Sequence, residues 1–191
     1  MSAHPEVDRA RIISAVRELL TAIGDDPARD GLRDTPRRIA EMYAEVFSGM
    51  AEDPASFLGT TFEVAHDEMV ILRNIPFYSM CEHHLLPFHG EAHVGYVPDG
   101  RVVGISKLAR VVETCARRPQ VQELLTSQVA ETIMAGLKPD GVAVVIDAEH
   151  LCMTMRGVQK PGSRMVTSAM RGSFRKSPVT RAEFLSLVHG R

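Results

Sequence analysis

Two short clusters, Cys81-Glu82-His83-His84 and His150-Leu151-Cys152, constrain this chain more than any other feature. If they act together, the fold must bring segments distant in sequence to one point. Thiolate and imidazole are preferred zinc ligands, and Cys₂His with one open position is a known catalytic set. Cys81 and His84 are three apart, a gap that one turn can span, and Cys152 supplies the third ligand. Met69 to Leu72 reads as a strand leading into the first cluster, and the apolar run Val142 to Ile146 precedes the second. A sheet is therefore the expected means of convergence. His150 to Met155 reads as extended, so His150, Cys152, Thr154 and Arg156 are expected on one face.

Three protein ligands leave one tetrahedral position for water, which zinc acidifies to a pKa of about 7. His83 and His150 are then free to move protons, as an imidazole titrates near pH ~6.5. The competing reading is a closed structural site of four ligands: Cys81, His83 or His84, His150 and Cys152. No C-x-x-C pair occurs, and the H-x-E with P-C-x-x-C signature of zinc deaminases is missing. His89 and His93 read as ordinary sheet residues, and His4, His66 and His189 as solvated loop or terminal ones.

Three cysteines cannot all pair within the chain, which points to a reducing compartment and to metal or catalytic use of Cys81 and Cys152. Cys115 lies on a helical pattern and reads as a small core residue. Lys and Arg total 22 against 24 Asp and Glu, a net charge of −2 that argues against a dedicated nucleic-acid binder. No apolar run reaches the ~18 residues of a membrane span. Met1 to Arg11 is polar and lacks a signal core. A cytoplasmic protein with no membrane partner is expected.

Apolar residues at helical spacing (Ile12, Val16, Leu19, Leu20, Ile23) predict a first helix from about Val7 to Ile23. Thr35 as N-cap and Pro36 at the first helical position predict a second, ending near Gly49. Residues 1–59 are thus expected as an N-terminal helical segment, and residues 60–191 as the catalytic domain. Within the latter, Ala92 to Val97, the turn Pro98-Asp99-Gly100 and Val102 to Ile105 predict a hairpin. Helices are expected over about Ser106–Ala116 and Gln120–Leu137, the second with Val121, Leu124, Leu125, Val129 and Ile133 on one stripe. Strands, paired helices and strands in that order predict an α+β fold with a mostly antiparallel sheet.

Lys107 and Arg110, after Ser106, can project together near a helix start, where free N–H groups favour anions. A solvated basic face explains them equally. No acidic residue occurs between Leu151 and Ala182, while Arg156, Lys160, Arg164, Arg171, Arg175, Lys176 and Arg181 do. That excess suits either a polyanionic ligand or plain solubility. Glu123, next to Gln122, either complements a helix dipole or accepts hydrogen bonds from N1–H and the 2-amino group of guanine.

Cys81-Glu82-His83-His84, Gly104-Ile105-Ser106-Lys107, Arg117-Arg118-Pro119-Gln120-Val121-Gln122-Glu123, and His150-Leu151-Cys152 with Arg156-Gly157 together resemble GTP cyclohydrolase I. The likeness runs from about Ala22 to Arg191, with the motifs in the family's order. It implies the tunnelling fold (T-fold) and, as in bacterial members, a homodecamer with active sites at subunit boundaries. It implies conversion of GTP and water to formate and 7,8-dihydroneopterin triphosphate, the entry to tetrahydrofolate-type pterins. Under it, Cys81, His84 and Cys152 hold Zn²⁺, His150 protonates N7 of the purine, and His83 assists proton transfer. Glu123 and Gln122 read the guanine edge, while Ser106, Lys107, Arg110 and Arg156 grip the ribose-triphosphate. Arg164 to Ser168 departs from the family pattern in being poorer in Thr. A T-fold nitrile reductase, with a cysteine nucleophile and NADPH, and a zinc-stabilised scaffold that binds nucleotide are the other readings.

Overall fold

The computed structural model describes residues 7–190, so His4 and the first six residues of the polar N-terminus lie outside the described part. Two helices come first. α1, Arg9–Ala22, begins after Asp8, whose side chain accepts from the Arg11 N–H and so satisfies one of the free donors of the first turn. α2, Thr35–Val46, has Asp34 rather than Thr35 in the cap position, a one-residue difference from expectation. Only Val16 and Leu20 of the first apolar stripe are buried, and Leu19 and Ile23 stand exposed. Two 3₁₀ turns, Ser48–Ala51 and Pro54–Gly59, lead into the rest, and Leu58 from the second is buried in the main core.

The strands are β1 (Thr61–Glu63), β2 (Val70–Cys81), β3 (Pro87–Val97), β4 (Arg101–Val103), β5 (Pro119–Gln120), β6 (Gly141–His150) and β7 (Met165–Gly172). Between and after them lie α3 (Ile105–Ala116), α4 (Gln122–Leu137), α5 (Leu151–Thr154), α6 (Ser173–Lys176) and α7 (Pro178–His189). Five strands form one sheet in the order β5-β2-β3-β6-β7, antiparallel except where β5 runs parallel to β2. The α+β class expected from the sequence is the class observed.

Three sequence expectations fail. The hairpin does not form, because β4 leaves β3 and pairs with β1 as a separate two-stranded ribbon. Tyr96 shows what replaces it: its buried hydroxyl accepts from the Val103 N–H at 3.2 Å. The second long helix starts at Gln122, not Gln120, since Pro119 and Gln120 pair with Met80 and Cys81. The stretch after His150 is not extended; it turns at once into the one-turn helix α5. On α4 the expected stripe holds for Leu125, Val129 and Ile133, whereas Leu124 is exposed. β7 and α7 had no counterpart among the sequence expectations.

The sheet is buried on both faces over much of its area. Phe88, Val94, Tyr96, Val144 and Ile146 pack against Leu108, Val112, Leu125, Val129 and Ile133 of α3 and α4. Each such side chain contributes about 1.5–3 kcal/mol by leaving water. On the other face Ala143 and Val145 meet Phe174, Phe184 and Val188 of α6 and α7. Cys115 is 1% exposed in the first cluster, and burial pushes its thiol up to about 11, so it is an inert core residue as expected. Gly90 lets β3 approach β6 closely, because a Cβ there would collide with the Asp147 carbonyl and the Ala148 side chain. That approach holds the register in which Phe88 faces His150.

Candidate metal centre and its surroundings

β2 and β6 both run antiparallel to β3, which lies between them, so their C-terminal ends reach the same edge of the sheet on either side of the start of β3. Cys81 is the last residue of β2 and His150 the last of β6. This topology is why the two clusters meet. After Cys81 the chain makes a tight turn to β3: Leu85 N–H donates to Cys81 O at 2.9 Å, and Cys81 N–H to Leu86 O at 2.9 Å. Leu85 takes a left-handed φ of 50° to close it. Glu82 N–H also donates to Gln120 O at 3.0 Å, which fastens the turn to β5. His84 lies within that turn, and Cys152 in α5 directly after β6. The candidate ligand atoms of Cys81, His84 and Cys152 all lie within 4.8 Å of one another.

The donor set fits a metal. Burial and the adjacent Cys81 thiol both push the Cys152 thiol up, so two neighbouring thiolates here call for a cation. Two sulfurs and an imidazole suit zinc, and the geometry gives three ligands rather than four. Neither His83 nor His150 belongs to the converging group among the described residues. His83 is exposed, with its Nδ1 3.9 Å from Cys81 Sγ and its Nε2 3.7 Å from Glu82.

His150 is held elsewhere. Its Nε2 lies 2.8 Å from Gln122 Oε1, and its ring stacks on Phe88 at 4.6 Å with an interplanar angle of 2°. Burial lowers its pKa, opposed by the nearby Glu123 carboxylate. Glu123 is exposed at the start of α4, next in sequence to the Gln122 that bonds His150. Arg156 also reaches the centre, with one guanidinium nitrogen 3.3 Å from His84 Nε2.

Other expected site residues do not join this group. Ser106, Lys107 and Arg110 lie in the first turns of α3, whereas its last residues lead into β5 beside Cys81. At 1.5 Å per residue the two ends of α3 are about 16 Å apart. Arg110 instead lies over the Phe57 ring at 5.6 Å. Gln122, expected at a guanine edge, is turned inward and is 1% exposed. Its amide nitrogen lies within 3.1 Å of Ile146 O, Met165 O and Thr167 Oγ1. Several basic residues of the acid-free stretch are also occupied: Arg164 pairs with Asp147 at 2.7 Å, Arg171 with Glu131 at 2.8 Å, and Arg181 donates to the Phe174 and Arg175 carbonyls.

Phe88, Thr126 and Thr167 were not singled out in the sequence. Thr126 had a signal, a hydroxyl next to Leu125 on a helix face that is otherwise apolar. Phe88 and Thr167 had none, because their roles depend on strand register.

The chain matches the GTP cyclohydrolase I family over residues 12–189. It belongs to that family. GTP cyclohydrolase 1 of Dehalococcoides mccartyi (strain ATCC BAA-2100 / JCM 16839 / KCTC 5957 / BAV1) is 64% identical over 183 residues, covering 95% of this chain and 97% of the relative. GTP cyclohydrolase 1 of Thermobifida fusca (strain YX) is 60% identical over 187 residues, covering 97% of this chain and 90% of its own. That of Geobacillus kaustophilus (strain HTA426) is 58% identical over 185 residues, covering 96% and 98%. The chain is therefore a member of a hydrolase family, and no helix among its described residues is long and apolar enough to cross a membrane.

Proposed function

We propose that this chain is a zinc-dependent enzyme that converts GTP and water to 7,8-dihydroneopterin triphosphate and formate, the first step toward tetrahydrofolate-type pterins. The observation that carries the reading is the meeting of Cys81, His84 and Cys152, with His150 two residues before Cys152 and bonded to Gln122, the neighbour of Glu123. A Zn²⁺ ion bound by the three ligands supplies Lewis acidity and makes water nucleophilic near neutral pH. The rest is the work of side chains. His150 has Nδ1 left to face a ligand; Nδ1 takes up the proton that water releases on adding to C8, and passes it to purine N7 as the C8–N bond breaks. His83, exposed at the rim, moves protons as the imidazole ring opens and formate leaves. Glu123 accepts from N1–H and the 2-amino group of guanine. Adenine lacks those donors and would leave the carboxylate unpaired, which sets the base preference.

Arg156, 3.3 Å from His84, meets phosphate from within the chain. Ser106 and Lys107 sit at the far end of α3, and Arg110 midway along it over Phe57, so we read them as serving such a site from another copy of the chain. Their separation supports active sites shared between subunits of a homo-oligomer, which we take to be a decamer. Exposed Leu19 and Ile23 on α1 suit a helix covered by a neighbour. A cytoplasmic location fits an enzyme with three unpaired cysteines.

The test is to incubate purified, metal-analysed protein with GTP and follow formate and a fluorescent oxidised pterin. About one zinc per chain with formate release from GTP and not ATP is the expected result. Zinc-loaded oligomer that releases no formate would reject the reading.

A further inference from the structure

The carboxamide of Gln122 can sit only one way round. Ile146 O at 3.0 Å and Met165 O at 2.9 Å are backbone carbonyls, which accept and cannot donate. The atom facing them must be the amide nitrogen, so the atom facing His150 must be the amide oxygen. An oxygen that only accepts, 2.8 Å from His150 Nε2, requires a hydrogen on that nitrogen. The hydroxyls behind it agree in sense. Thr126 Oγ1 donates to the Gln122 backbone carbonyl at 2.7 Å, so Thr167 Oγ1, 2.6 Å away, donates to Thr126 and is left to accept from the Gln122 side-chain amide nitrogen at 3.1 Å. Every donor has an acceptor, and the reversed network would set acceptors against carbonyls.

We infer that Gln122 is the positioning residue that locks His150 in the Nε2–H tautomer, presenting the Nδ1 lone pair to the substrate side. Phe88 holds the ring plane by stacking, and Gln122 decides which nitrogen works. Histidine function depends on the nitrogen left free, and that is set by the bond the other one makes. Gln122 thereby acts on the reaction through His150 and does not contact guanine. The inference rests on the proposed role of His150 in proton transfer, but its first readout does not.

That readout is the ¹⁵N spectrum of protein labelled at histidine, at a pH where the ring is neutral. The His150 signal is assigned by subtracting the spectrum of His150→Asn. The unaltered protein should show a single Nε2–H tautomer, and an Nδ1–H signal would overturn the inference. Gln122→Met removes the acceptor at similar volume. It should mix the tautomers and lower kcat by roughly tenfold or more, with KM for GTP changed less than about threefold and zinc content intact. A raised KM with the tautomer and kcat unchanged would instead make Gln122 a guanine contact.

Gln122→Glu is the conservative partner. Buried against two carbonyls, its carboxyl retains a proton, donates to one of them, and offers the other oxygen to His150. It should restore the Nε2–H tautomer and most of the lost kcat. If Gln122→Met does not fold, the spectra of the unaltered protein and Gln122→Glu decide the question. Should the unaltered, zinc-loaded protein release no formate, the proposed function falls while the tautomer result still stands.

Discussion

His150 and His93 stand in neighbouring strands of one sheet, the first half-buried and the second buried, and burial lowers both pKa values. Their surroundings give them opposite duties. His150, at the C-terminal end of β6 and two residues before Cys152, must donate from Nε2 to Gln122 and leaves Nδ1 for a ligand. His93, near the α7 side of β3, accepts at Nδ1 from the Asn74 backbone N–H at 3.2 Å. Asn74 lies in a bulge between Leu72 and Ile75, with a left-handed φ of 55° that asparagine tolerates better than most residues. One imidazole is thus held ready for a ligand, and the other satisfies a displaced backbone donor. The comparison teaches that the sheet is divided: chemistry collects where β2 and β6 end, and structural stability where α6 and α7 cover the other face.

The division is broken most severely by Cys152→Ser. Cys152 is only partly buried on a one-turn helix, so the chain should keep its fold by circular dichroism. Zinc retention and formate release should both fall to background. Turnover surviving in a metal-free variant would reject the proposed mechanism. At the opposite end, Phe184→Ala should do the reverse. Phe184 is fully buried against Phe174, with ring centroids 5.6 Å apart. Its loss should cost about 3–5 kcal/mol of stability, seen as a lower denaturant midpoint, while the folded fraction still binds zinc. If zinc content per folded chain fell as well, the two ends would be one unit and the division would fail.

Glu123→Ala sharpens the same contrast within the chemical end. The carboxylate is exposed, next in sequence to the Gln122 that bonds His150, and does not join the metal ligands among the described residues. The variant should keep its zinc and raise KM for GTP by roughly tenfold or more, the loss of a hydrogen-bonded charge being worth about 1.5–3 kcal/mol. Equal loss of zinc and GTP affinity would place Glu123 in the metal site instead.

How much of this was legible depended on the range of the interaction. The ligand trio could be read because thiols and imidazoles are chemically scarce and their spacing is local. The convergence of β2 and β6 followed from strands ending at each cluster. The pairing of β4 was not legible, because Pro98-Asp99-Gly100 is a sound turn signal and only tertiary contacts, including Tyr96 with Val103, send the strand to β1. Gln122 was misplaced for a related reason. The sequence shows an amide beside a carboxylate at a helix start, and only register with Ile146 and Met165 turns that amide inward. The helix after His150 was missed because its four residues are too few to show a period.

The smallest effect expected is at His93, and it has a definite sign. Burial is the main cause of its lowered pKa; Arg73 and His189 act in the same direction, and Glu91 and Asp147 oppose them. Protonation would also place a hydrogen on the nitrogen that accepts from Asn74. A folded-state pKa below the unfolded value of about 6.5 means that the unfolded chain takes up the proton first. Above that pH both states are neutral and His93 contributes no slope. As pH falls below about 6.5 its protonation favours unfolding, and the loss levels off only below the folded-state pKa. His93→Gln keeps an acceptor without a titrating ring, so denaturation measured from pH 8 down to about 5 should show a shallower decline than in the unaltered protein. Parallel curves would mean that His93 does not feel its burial. The two imidazoles would then differ by more than the bonds they make.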